Sequence, residues 1–223
     1  MARGGTNVEK LPEVRSMGET PQAEEGVKRR AFPSLDALNA ALAAEQAPTE
    51  GVGRLVPGEG PVPAALAFVG EQPGDEEDRQ GRPFVGPAGR LLNQALEETG
   101  LDRSRAYVTN AVKRFHFSMR GKRRLHSKPT AGEISHDRWW LEKELAFVRP
   151  RLVVALGATA GQALAGRQVS VTRERGPHPF GPWPGFLTVH PSYLLRIPEG
   201  AGREAAYRAF LADLSAIRRM TAS

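Results

Sequence analysis

From residue 64 onward, short apolar segments alternate with amphipathic segments, and this alternation restricts the fold more than any other feature. The segments AALAFVG, RAYVTNAV, RLVVALG and GFLTVHP are typical of buried strands, and amphipathic helices are predicted between them. Strands that alternate with helices form a parallel sheet that is covered on both faces. The sequence therefore predicts an α/β protein, a three-layer α/β/α sandwich with a central four-stranded parallel sheet.

The chain before residue 64 has a different organisation. Residues 1–32 are polar, mixed in charge and without periodicity, so we predict an N-terminal arm that is mobile or lightly packed. SLDALNAALAAEQ predicts a helix with Ser34 as its N-cap, and the Gly- and Pro-rich APTEGVGRLVPGEGPVP predicts a connecting loop. Thr130 and Glu133 form a predicted capping box at the start of a later helix. The domain itself is expected to span residues 33–223.

The composition excludes several kinds of site. The chain has 223 residues and no cysteine, which excludes disulfides, thiolate nucleophiles and cysteine-ligated zinc or iron–sulfur centres. No apolar run approaches the roughly 20 residues that span a bilayer, and the N-terminus lacks the apolar core of a signal peptide. We therefore expect a cytoplasmic protein with no membrane partner. Nothing in the sequence demands more than a monomer.

The charge of the chain favours an anionic partner. The net charge is +6, which favours nucleic acid over an acidic membrane surface, although a basic chain needs no such partner. The charge is concentrated in KRFHFSMRGKRRLHSKP, residues 113–129, which contains two histidines and no acid. We predict a basic loop that contacts phosphates. Its candidate DNA-binding residues are Lys113, Arg114, Lys122, Arg123, Arg124 and Lys128.

Polar side chains follow three of the predicted strands. Glu71 follows the first strand, Asn110 ends the second, and His190 follows the fourth. Because ligands of parallel sheets bind at the carboxyl ends of strands, we expect these side chains to meet at one site. GEQPGDEEDRQGRPFVGPAGRLL, residues 70–92, contains glycines that allow a ligand close to the backbone, but it has neither a Walker spacing nor a dinucleotide fingerprint. Taken alone, it is equally consistent with a turn that carries solvated acids.

The stretch VHPSYLLR, residues 189–196, places apolar side chains between a histidine and a basic residue. An apolar tip beside a histidine suits a wedge that enters a base stack, whereas the alternative is the start of a buried segment. The candidate DNA-binding residues in this stretch are Ser192, Leu194 and Arg196.

In this order and spacing, these stretches resemble the uracil-DNA glycosylase superfamily, in its family-4-like branch, from about residue 64 to residue 200. KRRLHSKP further resembles the basic loop of the UdgX subgroup. The resemblance implies a parallel four-stranded sheet between helices. It also implies hydrolysis of the N-glycosidic bond of deoxyuridine in single- or double-stranded DNA, in base excision repair.

The resemblance implies roles for individual residues. Glu71 corresponds to the acid that organises or activates water beside C1′, and His190 to the histidine that hydrogen-bonds uracil O2. Phe84 corresponds to the aromatic that stacks on the extruded uracil, and Asn110 to the amide that reads the pyrimidine edge. Leu194 occupies the wedge position. The remaining candidate substrate-binding residues are Gly70, Gln72 (mainly through its backbone amide) and Asp75.

His126 distinguishes two outcomes of the reaction. It corresponds to the histidine that, in UdgX-like proteins, bonds covalently to the deoxyribose C1′ after uracil leaves. A neutral imidazole can attack an oxocarbenium carbon, and a loop that grips the flanking phosphates would hold it against the sugar. The alternatives are a glycosylase that releases abasic DNA, a non-catalytic nucleic-acid-binding protein on the same fold, and a metal-dependent phosphate-ester hydrolase that uses the acids of residues 75–78.

The chain departs from its family where related proteins hold an iron–sulfur cluster with four cysteines. Asp137, with His136 beside it, precedes RWWL where a ligand cysteine is usual, and the N-terminal pair is missing around residues 43–47. We therefore predict no cluster, no other cofactor and no metal. Packing by Trp139, Trp140, Phe147 and the Leu35–Leu42 helix is expected to replace the cluster as a brace.

Overall fold

The computed structural model describes residue 1, residues 31–45 and residues 49–221. The predicted arm, residues 1–32, therefore falls almost entirely outside the described residues. The helices and strands, in chain order, are α1 (Leu35–Glu45), β1 (Val52–Leu55), β2 (Leu66–Gly70), α2 (Asp75–Gln80), α3 (Pro87–Glu98), β3 (Ala106–Asn110), β4 (Arg114–Arg120), β5 (Arg123–His126), α4 (Ala131–Val148), β6 (Leu152–Leu156), α5 (Ala158–Ala165), α6 (Val171–Glu174), β7 (Gly176–Pro177), β8 (Gly185–Thr188), α7 (Pro191–Arg196) and α8 (Ala201–Thr221). None of these helices is long and apolar enough to cross a membrane.

Within the described residues, a five-stranded sheet forms the middle layer. Its strand order is β3-β2-β6-β8-β7. The four predicted strands β2, β3, β6 and β8 run parallel and are buried along their length, whereas the short β7 runs antiparallel to β8. The predicted α/β class is confirmed, but the sheet has one strand more than predicted. The two residues of β7 are too few to show the period of two that marks a strand in sequence.

Helices cover both faces of this sheet. Ala67 and Val69 of β2 pack in a cluster with residues of α4 and α5, such as Leu141. Phe68, between them in sequence, packs on the other face with residues of α3 and α8, such as Leu92. Successive side chains of a strand point to opposite faces, so a central strand that is buried on both sides must be apolar throughout. The predicted three-layer α/β/α arrangement is therefore confirmed.

The stretch predicted as a basic loop is an antiparallel hairpin. β4 pairs with β5, so that Phe117 lies opposite His126, and the turn between the strands contains Gly121 at φ +61°. β1 pairs with the other edge of β4. The two loop predictions, for residues 113–129 and for APTEGVGRLVPGEGPVP, are therefore wrong where these strands form. β1 has only four residues, with Gly51 before it and Gly53 within it, and it forms a strand because β4 supplies its hydrogen-bonding partners.

Local polar contacts explain where two helices begin. Ser34 Oγ accepts a hydrogen bond from the backbone N–H of Ala37, as predicted for an N-cap. Thr130 Oγ1 accepts from the N–H of Glu133 at 3.2 Å, and the Glu133 carboxylate accepts from the N–H of Thr130 at 2.6 Å. Both predicted caps are confirmed. The acids of residues 75–78 form α2 rather than a solvated turn, and two of them are buried.

Candidate active site

A cavity of about 1360 Å³ opens at the carboxyl ends of the parallel strands. Glu71 follows β2, Asn110 ends β3 and His190 follows β8, so the parallel arrangement brings all three to one edge of the sheet. Phe84, between α2 and α3, and His126, at the end of β5, line the same cavity. The structure therefore brings together the five residues to which the sequence assigns the central chemistry.

Phe84, Asn110 and His190 line one part of the cavity, which we call the base slot. Phe84 adopts φ +57°, a left-handed conformation that bulky side chains rarely adopt. Its ring centre lies 6.3 Å from that of His190, and the two planes differ by 29°. A Cβ on Gly70 would lie 2.4 Å from Asn110 Oδ1 and 2.7 Å from the Phe84 ring. Gly70 thus serves the predicted substrate site by letting the aromatic ring and the amide approach the strand.

A buried ion pair holds the strand end that carries Asn110. Lys113 Nζ donates to the carbonyl of Asn110 and to the hydroxyl of Thr109, each at 2.7 Å. The same ammonium pairs with the carboxylate of Glu144, which also accepts from the hydroxyl of Tyr107. Lys113 is 2% exposed. The prediction that Lys113 contacts phosphate is therefore wrong, because its side chain turns inward to a carboxylate on α4.

A carboxylate and an imidazole meet in the cavity. His126 Nε2 lies 3.2 Å from one oxygen of Glu71, and the other oxygen accepts from Thr159 Oγ1 at 2.8 Å. Burial raises the pKa of Glu71, but the hydrogen bonds from His126 and Thr159, with the nearby imidazoles, lower the pKa by more. Glu71 is therefore a carboxylate at neutral pH. Thr159 is not among the residues predicted from the sequence, although its place in the first turn after the third predicted strand puts it at the same sheet edge.

His190 is held as a neutral imidazole. Its Nδ1 accepts from the backbone N–H of Ser192 at 3.1 Å and lies 2.8 Å from the Ser192 hydroxyl. Desolvation lowers the pKa of His190 to about 4, against the attraction of Glu71, which raises it. Because Nδ1 accepts a hydrogen bond, the ring proton lies on Nε2, which can donate to a ligand. Ser192, a predicted DNA contact, orients this ring.

The side chain of Gln72 fastens the hairpin that carries His126. Its Nε2 donates to the carbonyls of His116 and Ser127, each at 3.2 Å, and its Oε1 accepts from the N–H of His116 at 3.3 Å. These bonds join the end of β2 to both strands of the hairpin. Gln72 was predicted to act mainly through its backbone amide, and the structure adds this positioning contact.

Arg124 and Asp75 were predicted to contact DNA and substrate, respectively, but they pair with each other. Arg124 Nε lies 2.5 Å from Asp75 Oδ1, and a second nitrogen bonds the carboxylate of Asp78. The guanidinium also lies 5.0 Å from the ring centre of Phe117. Asp75 still lines the cavity. In this structure, however, the two charges hold the hairpin against α2 rather than facing a ligand.

The remaining predicted DNA contacts differ in exposure. Arg114 is buried and donates to the carbonyl of Gly53, so its predicted phosphate contact is wrong. Leu194, the predicted wedge, is 1% exposed and packs in the core, whereas its neighbours Tyr193 and Leu195 are 48% and 37% exposed. Leu194 in this conformation therefore cannot enter a base stack. The residues that are exposed as predicted are Lys122, Arg123, Lys128 and Arg196.

Comparison with known proteins identifies the family. Residues 57–215, well over half of the chain, match the family model of the Uracil DNA glycosylase superfamily. The chain belongs to the uracil DNA glycosylase superfamily. The resemblance found in the sequence motifs is thus confirmed at the level of the superfamily.

Several type-4 uracil-DNA glycosylases are similar in sequence to this member of the superfamily. The protein from Thermotoga maritima is 42% identical over 147 residues, covering 64% of this chain and 72% of its own length. That from Sulfurisphaera tokodaii is 36% identical over 126 residues, covering 54% of each. That from Archaeoglobus fulgidus is 40% identical over 107 residues, covering 48% and 50%. The chain thus spans about half the length of the latter two.

These relatives confirm the family-4-like branch and the predicted enzyme class, a uracil-DNA glycosylase that hydrolyses N-glycosyl bonds. The finer likeness to the UdgX subgroup rests on the sequence motif KRRLHSKP alone.

The residues at the positions where the resemblance implies an iron–sulfur cluster do not fit a cysteine-ligated cluster. The chain has no cysteine, and no group of three or more His, Asp or Glu within the described ranges is arranged to hold a metal. Asp137 accepts from the N–H of Lys113 at 2.8 Å and lies 2.8 Å from His136 Nδ1. The ring centre of Phe32, just before α1, lies 5.9 Å from that of Trp140. Polar and aromatic contacts occupy this region.

Proposed function

We propose that this uracil DNA glycosylase superfamily member excises uracil from single- or double-stranded DNA and then retains the DNA covalently through His126. One observation carries the proposal. His126 Nε2 lies 3.2 Å from Glu71 Oε1, in the cavity that also holds Phe84, Asn110 and His190. Groups suited to the base and groups suited to the sugar therefore line the same cavity.

The slot around Phe84 suits an extruded uracil. A base inside a duplex cannot be attacked, and its extrusion costs a few kcal/mol. Stacking on an aromatic ring returns roughly 1–3 kcal/mol per base. The Asn110 amide offers a donor and an acceptor together, which match the O4 and N3–H edge of uracil and oppose the reversed pattern of cytosine. His190 Nε2–H is the proposed donor to uracil O2.

The arrangement supports departure of uracil as an anion. The bond between C1′ and N1 breaks, and its electron pair leaves with the base. Hydrogen bonds from Asn110 and the neutral His190 stabilise the negative charge on uracil, while the Glu71 carboxylate stabilises the positive charge on the sugar. Thr159 fixes the orientation of Glu71 through its 2.8 Å hydrogen bond.

Water and His126 then compete for C1′. If water attacks, Glu71 accepts a proton from it and the product is free abasic DNA. If His126 attacks, Glu71 accepts the Nε2 proton, and the lone pair that this frees forms the bond to C1′. The contact between Glu71 and His126 favours the second route because the base and the nucleophile are already adjacent. An alkylated imidazole is a poor leaving group, so the adduct would persist and the protein would act once.

The test uses a labelled single strand with one uracil, resolved on a denaturing gel after reaction. We expect a shifted band that survives SDS and heat, and one uracil released per protein molecule. His126→Ala should release uracil without forming the band. His178→Ala is the matched control, because the ring of His178 packs on Phe180 and does not line the cavity. It should behave as the wild type.

The other outcomes separate the alternatives. Many uracils released per protein molecule, without a shifted band, would exclude the covalent step but leave uracil excision intact. Binding without any release of uracil would exclude both and would indicate a non-catalytic nucleic-acid-binding protein. Activity that EDTA abolishes would indicate a metal-dependent hydrolase.

A further inference from the structure

Arg175 lines the cavity but has no role in the chemistry proposed above. It directly precedes β7, which forms one edge of the five-stranded sheet. The hairpin that carries His126 follows β3, the strand at the opposite edge. The cavity is therefore lined both by His126 of the hairpin and by Arg175, which lies beside the opposite edge of the sheet.

A carboxylate on α8 orients this guanidinium. Arg175 Nε lies 2.7 Å from Asp213 Oδ2, and the same oxygen accepts a hydrogen bond from the hydroxyl of Thr188, the last residue of β8. The Arg175 side chain is 31% exposed, and that of Asp213 is 15% exposed. Because Asp213 engages Nε, the two terminal amino groups of Arg175 remain for a second acceptor. A pair of guanidinium N–H groups matches two oxygens of a phosphate.

We propose that Arg175 binds a phosphodiester of the DNA strand, on the side of the extruded nucleotide away from the hairpin. Neighbouring strands lie about 4.8 Å apart, so the two edges of a sheet with this strand order are about 19 Å apart. Bases advance by about 3.4 Å along the axis of a stacked DNA strand, so this distance corresponds to about five or six stacked nucleotides. The proposal rests on the proposed function, since it requires DNA to enter this cavity.

A purely structural role for the pair predicts a different pattern of mutant effects. If the ion pair between Arg175 and Asp213 only braces β7 against α8, Arg175→Gln and Asp213→Asn both break that brace. The two substitutions should then weaken DNA binding equally. If Arg175 binds phosphate through its terminal amino groups, the Asp213 carboxylate holds Nε but also repels the DNA backbone. Asparagine keeps an oxygen that can accept from Nε and removes this negative charge. Asp213→Asn should then leave DNA binding unchanged or make it tighter, whereas Arg175→Gln should weaken it.

The experiment measures the affinity for a 15-nucleotide single strand that carries 2′-fluoro-2′-deoxyuridine, which resists glycosidic cleavage, by fluorescence anisotropy between 50 and 300 mM salt. Arg175→Gln should weaken Kd by about tenfold at low salt, as expected for the loss of a charged hydrogen bond. It should also reduce the slope of log Kd against log salt by about 0.7, the value for one phosphate of a single strand. Arg173→Gln is the matched control, because Arg173 lies two residues away and does not line the cavity. It should keep the wild-type slope.

Two results would overturn the proposal. One is the same salt slope in Arg175→Gln and in the wild type. The other is an equal loss of affinity in Arg175→Gln and Asp213→Asn. Arg175→Lys is the control for misfolding. It keeps the positive charge, so it should keep the wild-type salt slope, but it lacks the paired N–H groups and should bind more weakly than the wild type. Release of uracil from an ordinary uracil strand is measured separately, so that a failure of excision is distinguishable from a failure of phosphate binding.

Discussion

Acid should destabilise the protein through His190, which the fold keeps neutral. Desolvation lowers the pKa of this imidazole to about 4, whereas a histidine in an unfolded chain has a pKa of about 6.5. Between these two values the unfolded chain binds a proton that the folded chain does not bind. The free energy of unfolding therefore falls as the pH falls through this range.

The size of the effect follows from the two pKa values. Their full difference is worth roughly 3.4 kcal/mol, and about 2 kcal/mol of this falls between pH 7 and pH 5. A domain is typically stable by about 5–15 kcal/mol, so this single ring accounts for a measurable part of the total. Glu71, whose pKa is lowered, loses its contribution in the same direction, as the pH falls through its folded-state pKa.

Urea unfolding of the wild type and of His190→Gln at pH 7, 6 and 5 isolates the contribution of His190. Glutamine does not titrate, and the other groups largely cancel in the difference between the two proteins. The free energy of unfolding of the wild type should fall by about 2 kcal/mol more than that of the variant between pH 7 and pH 5. Parallel pH profiles would refute the reasoning, because the folded protein would then take up the His190 proton at the ordinary pKa.

Three further outcomes are expected. Lys113→Met leaves Glu144 buried without its cation and should lower the free energy of unfolding in urea by about 3–5 kcal/mol. Adding Glu144→Gln, which removes the charge but keeps an acceptor for the Tyr107 and Thr109 hydroxyls, should restore much of this loss. Gly70→Ala places a methyl group against Asn110 Oδ1 and should reduce the single-turnover rate constant for uracil release at least tenfold. Gly132→Ala, whose added Cβ meets only Thr130 at 3.8 Å, should not. EDTA should leave both the release of uracil and Tm unchanged, since the chain has no cysteine to hold a metal. Slower release of uracil or a lower Tm would reveal a bound metal.

Sequence alone could predict those elements whose signals are local. The buried strands are continuous apolar runs, and Thr130 with Glu133 forms a cap within four residues. β1 could not be predicted, because its four residues form a strand only when β4, about sixty residues later, pairs with them. β4 does carry the alternation of a strand, since Phe115, Phe117 and Met119 stand at every second residue. The hairpin was missed because its many basic residues favoured a loop, and the four residues of β5 show no such alternation.

In the candidate site, too, local signals could be predicted from the sequence, whereas contacts between distant segments could not. Glu71, Asn110 and His190 could be placed together because parallel strands end at one edge of the sheet. The basic stretch 113–129 does not show from its sequence which of its Lys and Arg side chains is buried. Lys113 finds a carboxylate 31 residues later in the chain, and this partner is visible only once α4 packs against β3. The wedge assignment to Leu194 failed for the same reason, since the core that buries it is assembled from distant segments.

The proposed nucleophile and the base slot lie on different sheets. Phe84, Asn110 and His190 are positioned by the five-stranded sheet and its connections, whereas His126 lies opposite Phe117 in a separate hairpin. A shift of one residue in that pairing would turn His126 to the other face of the hairpin without moving the slot. Whether the damaged strand is released or permanently captured could thus change during evolution while the choice of base stayed the same.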